Sequence, residues 1–152
     1  MEKVIKSFEF EGFEFKVHSF DLDDGPFILN RLMKQLVQLM NEANEDGTKA
    51  SDVEPENFSE MLIQQLLMNL DRETFKEIKK IALRSVSVEE LVGTKVINQP
   101  VILPNGQPSR PEFNNFGMLD YLTRQALNTN MKPFFTKDGL RIYLTGQPVL
   151  SL

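Results

Sequence analysis

The chain contains no cysteine, which excludes disulfides, zinc–thiolate sites and thiol nucleophiles and fits a reducing cytosol. Its single histidine, His18, would have to serve any Ser-His-Asp triad, yet no G-x-S-x-G elbow accompanies it. On the polar edge of an expected strand, His18 reads as a surface residue. Glycines do not cluster: Gly93-Thr94-Lys95 stands alone, so no phosphate-cradling loop or dinucleotide fingerprint exists. No stretch approaches the ~18 apolar residues of a membrane span, and the opening MEKVIKSFEF lacks a signal peptide's apolar run. A net charge of −5 argues against general binding to nucleic acid or anionic membrane, both of which reward a basic surface. There is no fixed-period repeat and no low-complexity block. These absences describe a soluble intracellular protein, most simply one domain over residues 1–152.

Metal chemistry finds little support either. In Asp21-Leu22-Asp23-Asp24 the acids do not alternate as a calcium loop requires, and the twelfth position from Asp21 is Leu32 rather than Glu. Glu42-Ala43-Asn44-Glu45-Asp46-Gly47 has better spacing, but its twelfth position is Val53. Both read as solvated loops, and no cofactor is expected.

What the sequence does contain is periodicity. Residues 8–20, FEFEGFEFKVHSF, alternate phenylalanine with acid around Glu11-Gly12. With a two-residue turn there, position 10 lies opposite 13 and 8 opposite 15. All four rings then share one face with Val17, while Glu9 and Glu14 oppose each other on the wet face. A lone hairpin is marginal in water, so these rings need a lid, expected on the first and third helices.

The first helix opens near Asp24-Gly25-Pro26, with Asp24 or Gly25 as its cap. Its stripe is Leu29, Leu32, Met33, Leu36, Val37 and Met40, widened by Phe27, Ile28 and Leu39. Residues 41–54 read as an exposed polar loop. Pro55 starts a second helix with Phe58, Met61, Leu62, Leu66 and Leu70 on one side. Asp71 is the expected N-cap of a third, with Leu70 and Phe75 spaced as a hydrophobic staple and Phe75, Ile78, Ala82 and Val86 as its apolar row. Ser87 and Glu90 fit a capping box for a short helix closed by Gly93.

Residues 94–112 carry four prolines and a Pro-Asn-Gly turn signal, predicting extended chain or an edge strand. A last helix spans roughly 115–130 through Phe116, Leu119, Leu122, Ala126 and Leu127. An Asp138-Gly139 turn between FFTK and LRIYL predicts a C-terminal hairpin. The expected fold class is α+β and mainly helical: an N-terminal β-hairpin packed on a bundle of about four helices, with a short C-terminal hairpin. Within the single domain, 1–93 hold the hairpin and helices, 94–112 the proline-rich segment, and 113–152 the last helix and hairpin.

Two surface features remain. Arg72, Lys76, Lys79, Lys80 and Arg84 fall on neighbouring turns of the third helix, with Glu73 and Glu77 at pairing distance from Lys76 and Lys80; this reads as a solvated face. Met33, Met40, Met61 and Met68 lie on or beside apolar helix faces. Methionine's flexible thioether fills core gaps and also suits surfaces that adapt to several partners, and both readings stay open.

The order of these elements, with F-x-F-x-G-x-x-F, LLMNLDRETFKEIKKIAL and RQALNTNMKPFF, resembles the tail assembly chaperones of long-tailed bacteriophages over residues 8–135. That resemblance implies a mainly helical, non-catalytic protein of the infected host's cytoplasm. Such proteins coat the long helical tape measure protein, keep it soluble, recruit tail tube subunits, and leave before the tail is complete.

A chaperone of that kind needs a tolerant apolar groove on a negatively charged, self-repelling chain. The candidate partner-binding residues are Phe27, Met33, Leu36, Met40, Met61 and Met68. The expected partners are the tape measure and tail tube proteins, with a homo-oligomer possible and no role for nucleic acid or membrane. The alternatives are a small structural virion or baseplate component and a dimeric bacterial adaptor or secretion chaperone. An enzyme ranks last, because no convergent set of titratable residues is visible.

Overall fold

The computed structural model describes residues 3–45 and 57–136. The fold is α+β: a four-stranded antiparallel sheet in the order β1-β2-β3-β4, and four helices. The strands are β1 (Val4–Phe10), β2 (Phe13–His18), β3 (Val86–Val92) and β4 (Lys95–Pro100). The helices are α1 (Asp24–Glu45), α2 (Phe58–Met68), α3 (Arg72–Arg84) and α4 (Phe116–Met131). Short 3-10 turns at Pro111–Phe113 and Lys132–Phe135 flank α4.

β1 and β2 pair with Phe8 opposite Phe15, Glu9 opposite Glu14 and Phe10 opposite Phe13. Glu11 and Gly12 both take positive φ, 52° and 81°, which matches the primed turns that follow the right-handed twist of a hairpin. The lid over the rings is not α1 and α3. Phe10 stacks on Tyr121 of α4, centroids 4.0 Å apart, and Phe13 and Phe15 meet Phe113 at 5.2 and 5.8 Å. The sheet itself moves the helices: β3 and β4 extend it past β2, so α4 crosses the phenylalanine face. Phe15 and Val17 are fully buried in one core that also takes in Ile28, Ile63, Ile78, Leu122 and Phe135.

Several elements depart from the sequence-based expectation. Ser87 and Glu90 belong to β3, not to a capped helix. The β-branched Val86 and Val88 alternate into the core, and Gly93, at φ 64°, turns the chain into β4. Pairing on both sides, to β2 and β4, outweighs the local capping pattern. α1 continues through Glu45, beyond the expected loop boundary at 41. The carboxylate serving its start belongs to Asp21, which accepts from the N–H groups of Asp23 and Asp24 at 2.9 and 2.6 Å. In α2 the buried side is Ser59, Ile63, Leu66 and Leu67, so Met61 faces out rather than in. Phe134 and Phe135 lie in a 3-10 turn instead of a strand; Pro55 and the Asp138-Gly139 hairpin fall outside the described residues.

Other expectations hold. Asp71 caps α3, its carboxylate accepting from the Thr74 N–H at 3.1 Å. The last helix expected over roughly 115–130 is α4, and its cap, which the sequence reading did not name, is Asn115, whose side chain accepts from the N–H groups of Gly117 and Met118. β4 is an edge strand, as its flanking prolines suggest.

Candidate functional site

The six candidate partner-binding residues separate into three groups by burial. Met33 and Leu36 are core, because they share a face of α1 with Ile28 and Leu32. Phe27 is half-buried at the core's edge, with the Arg31 guanidinium over its ring at 5.4 Å. Met40, Met61 and Met68 are in solvent, at 46, 53 and 73% exposure, and Val37 joins them. Met61 and Met68, two turns apart, occupy one outward stripe of α2. Large apolar side chains thus stand uncovered on α1 and α2 beside a core that is already complete.

A second uncovered patch lies at the β3–β4 tip, where Leu91, Val92, Val96 and Ile97 are all exposed. Sequence reasoning missed it by reading 87–93 as helix. The signal was present in the alternation of VSVEELV and in Gly93-Thr94, a two-residue loop with glycine first.

Between α1 and α3 runs a seam with three hollows in a row. One, of about 300 Å³, is lined by His18, Phe20, Asp24, Ile81, Arg84 and Pro100 among others. The next, of about 330 Å³, is lined by Phe27 and Ile81 with two acids, Asp24 and Glu77, and two bases, Lys80 and Arg84. The last, of about 260 Å³, lies between Arg31, Lys34 and Gln38 of α1 and Leu70, Asp71 and Thr74. α1 packs closely on α2, and α3 on α4, which leaves the line between α1 and α3 open.

The seam's electrostatics differ from expectation. Glu73 and Glu77 make no ion pair with Lys76 or Lys80 among the described residues; on this helix only Arg84 is paired, with Asp24 at 3.7 Å. Burial raises the Asp24 carboxyl above its usual range, and the neighbouring Asp21 charge adds to this. Asp21 moves the other way, lowered chiefly by the hydrogen bond from the Asp24 N–H.

His18 is buried rather than superficial. Its Nε2 lies 2.9 Å from Ser87 Oγ, and its backbone N–H donates to Ser85 O. Ser87 is buried as well, so the pair joins β2 to β3 inside the sheet. Among the described residues, no group of three His, Cys, Asp or Glu is placed to hold a metal ion. No helix among them is long and apolar enough to cross a membrane. Comparison with family models, curated proteins and solved structures gives no match.

Proposed function

We propose that this chain is a non-catalytic assembly chaperone of a long-tailed bacteriophage, acting in the host cytoplasm. It binds the tape measure protein, keeps it soluble, and helps recruit tail tube subunits. The observation carrying this reading is the exposure of Met40, Met61 and Met68 on helices whose inner faces are already filled. Flexible thioethers accommodate the irregular side chains of a long amphipathic helix, and many weak contacts along it give reversible capture. The chain's net charge of −5 opposes self-association of the loaded chaperone.

Capture from a phage-infected lysate tests the reading. Recovery of a long helical protein without assembled particles is the expected result. Recovery of the chain as a stoichiometric part of purified particles contradicts it. The uncovered aliphatic tip of β3–β4 favours that second reading, a small structural virion or baseplate component, since an exposed apolar edge strand is ordinarily covered in a permanent assembly.

A further inference from the structure

The sheet has two edges, and the chain treats them differently. β1, on one side, has Lys3, Lys6 and Glu9 on or beside it and a break in register between Val4 and Lys6. Charges and bulges of this kind keep a further strand from adding. β4, on the other side, pairs with β3 without a break from Lys95 to Pro100. Residues 91–100, LVGTKVINQP, hold a single charge, Lys95, on a chain whose net charge is −5. Copies that repel one another through their acids meet little repulsion here.

The backbone determines what fits this edge. Val92 and Lys95 flank the two-residue loop Gly93-Thr94, so they exchange both ladder hydrogen bonds, and such pairs alternate along an antiparallel ladder. The bond from the Val101 N–H to Val86 O, at 3.1 Å, keeps the same alternation. Lys95, Ile97 and Gln99 therefore bond inward to β3. The N–H and C=O groups of Val96 and Asn98 point away from the sheet, and among the described residues they reach no other element. All of residues 91–98 are exposed. Leu91 and Val96 make one face of this arm apolar, and Val92 and Ile97 the other.

We propose that β4 pairs antiparallel with β4 of a second copy, joining two four-stranded sheets into one of eight strands. The two-fold axis passes at Ile97, which lies opposite itself, and Val96 of each copy pairs with Asn98 of the other. In this register every outward N–H and C=O of Val96 and Asn98 finds a partner. Shifted one way, Val96 falls opposite Pro100, which has no N–H to give; shifted the other way, Asn98 falls on Thr94 of the loop. Because β1 is guarded, each copy offers the same edge, and the pair closes on itself instead of extending into an open row. The dimer is independent of the chaperone reading and requires no other protein.

Sedimentation of the full chain between about 5 and 500 µM tests this, the range suited to a small interface. The weight-average mass should climb from 17.5 kDa toward twice that value and stop there. Asn98→Pro removes an outward N–H and no bond to β3, so its circular dichroism should match wild type while its dimer dissociates at least tenfold more readily. Ile97→Cys reads the register. Residues opposite each other in a non-hydrogen-bonded pair stand about 4.5 Å apart at Cα, within disulfide reach. On oxidation most of this variant should become a covalent dimer, whereas Val92→Cys, one strand further from the axis, should not. If Asn98→Pro fails to fold, the wild-type mass and the Ile97→Cys crosslink decide between them. A mass that stays at that of one chain, a mass that keeps rising past two, a dimer indifferent to a folded Asn98→Pro, no crosslink in Ile97→Cys, or an equal crosslink in Val92→Cys overturns the proposal.

Discussion

Glu11 holds a left-handed backbone, φ 52°, that glutamate rarely adopts and that asparagine tolerates better. Its side chain is exposed, so Glu11→Asn should stabilise the protein by about 0.5–1 kcal/mol, seen as a higher urea midpoint at unchanged slope. Asp71 provides a pH signature. Hydrogen bonds from the Thr74 side chain, then from its backbone N–H, hold the carboxyl below its ordinary 3.8. A depressed carboxyl contributes stability that is present above about pH 4, the unfolded value, and is lost as pH falls through the folded one. Asp71→Asn keeps a capping oxygen but removes the titration. Its melting temperature should stay near wild type at pH 7 and decline less steeply below pH 4. The Asp71 cap was legible in sequence, because capping is local chemistry. His18 was not: its burial depends on Ser87, a residue 69 positions away.

Among elements, the segment ALNTNMKPFF shows why a short pattern resists functional reading. Asn130 Oδ1 accepts from the Phe20 N–H at 2.8 Å, and its Nδ2 donates to His18 O at 3.2 Å and Ala126 O at 3.0 Å. Phe135 is fully buried, and its carbonyl accepts from Ser59 Oγ at 3.0 Å. The pattern thus straps α4 to the β2–α1 connection and to α2. Asn130→Ala should cost about 1–3 kcal/mol by leaving Phe20 N–H and His18 O without this partner, measured by chemical denaturation. The phenylalanine hairpin is structural in the same sense. Phe15→Ala empties a fully buried ring site and should cost about 3–5 kcal/mol. Normal folding of that variant, with only partner binding lost, would contradict the assignment. The hairpin register was legible from its strict alternation of two, whereas its lid was not. Helix phase also failed in α2, where apolar residues surround the helix on more than one side, so Met61 was grouped with Leu62 and Leu66 on one apolar face and Ile63, which is fully buried, was not.

For the whole molecule, a helix period of 3.6 shows which residues are apolar, but not which of two apolar faces the remaining elements cover. Phe27, Met33, Leu36, Met40, Met61 and Met68 are therefore alike in sequence, and Phe27 ends half-buried at the core's edge. Packing of α1 and α2 against the common core claims Met33 and Leu36 and leaves Met40, Met61 and Met68 outside. The open seam was hidden for the same reason: it depends on α1 packing on α2 and α3 on α4, pairings that no local spacing reveals. The outer methionines stand on a core that is filled without them, a surface left free for another helix. The most direct measurement is the soluble fraction of the cognate tape measure protein when co-expressed with wild type or with Met40→Ser/Met61→Ser/Met68→Ser. The three sites are solvent-exposed, so the variant should fold and melt within a few degrees of wild type. The account predicts abundant soluble tape measure with wild type and at least a fivefold loss with the variant. Equal solubility with both chains, or none with wild type, would contradict it.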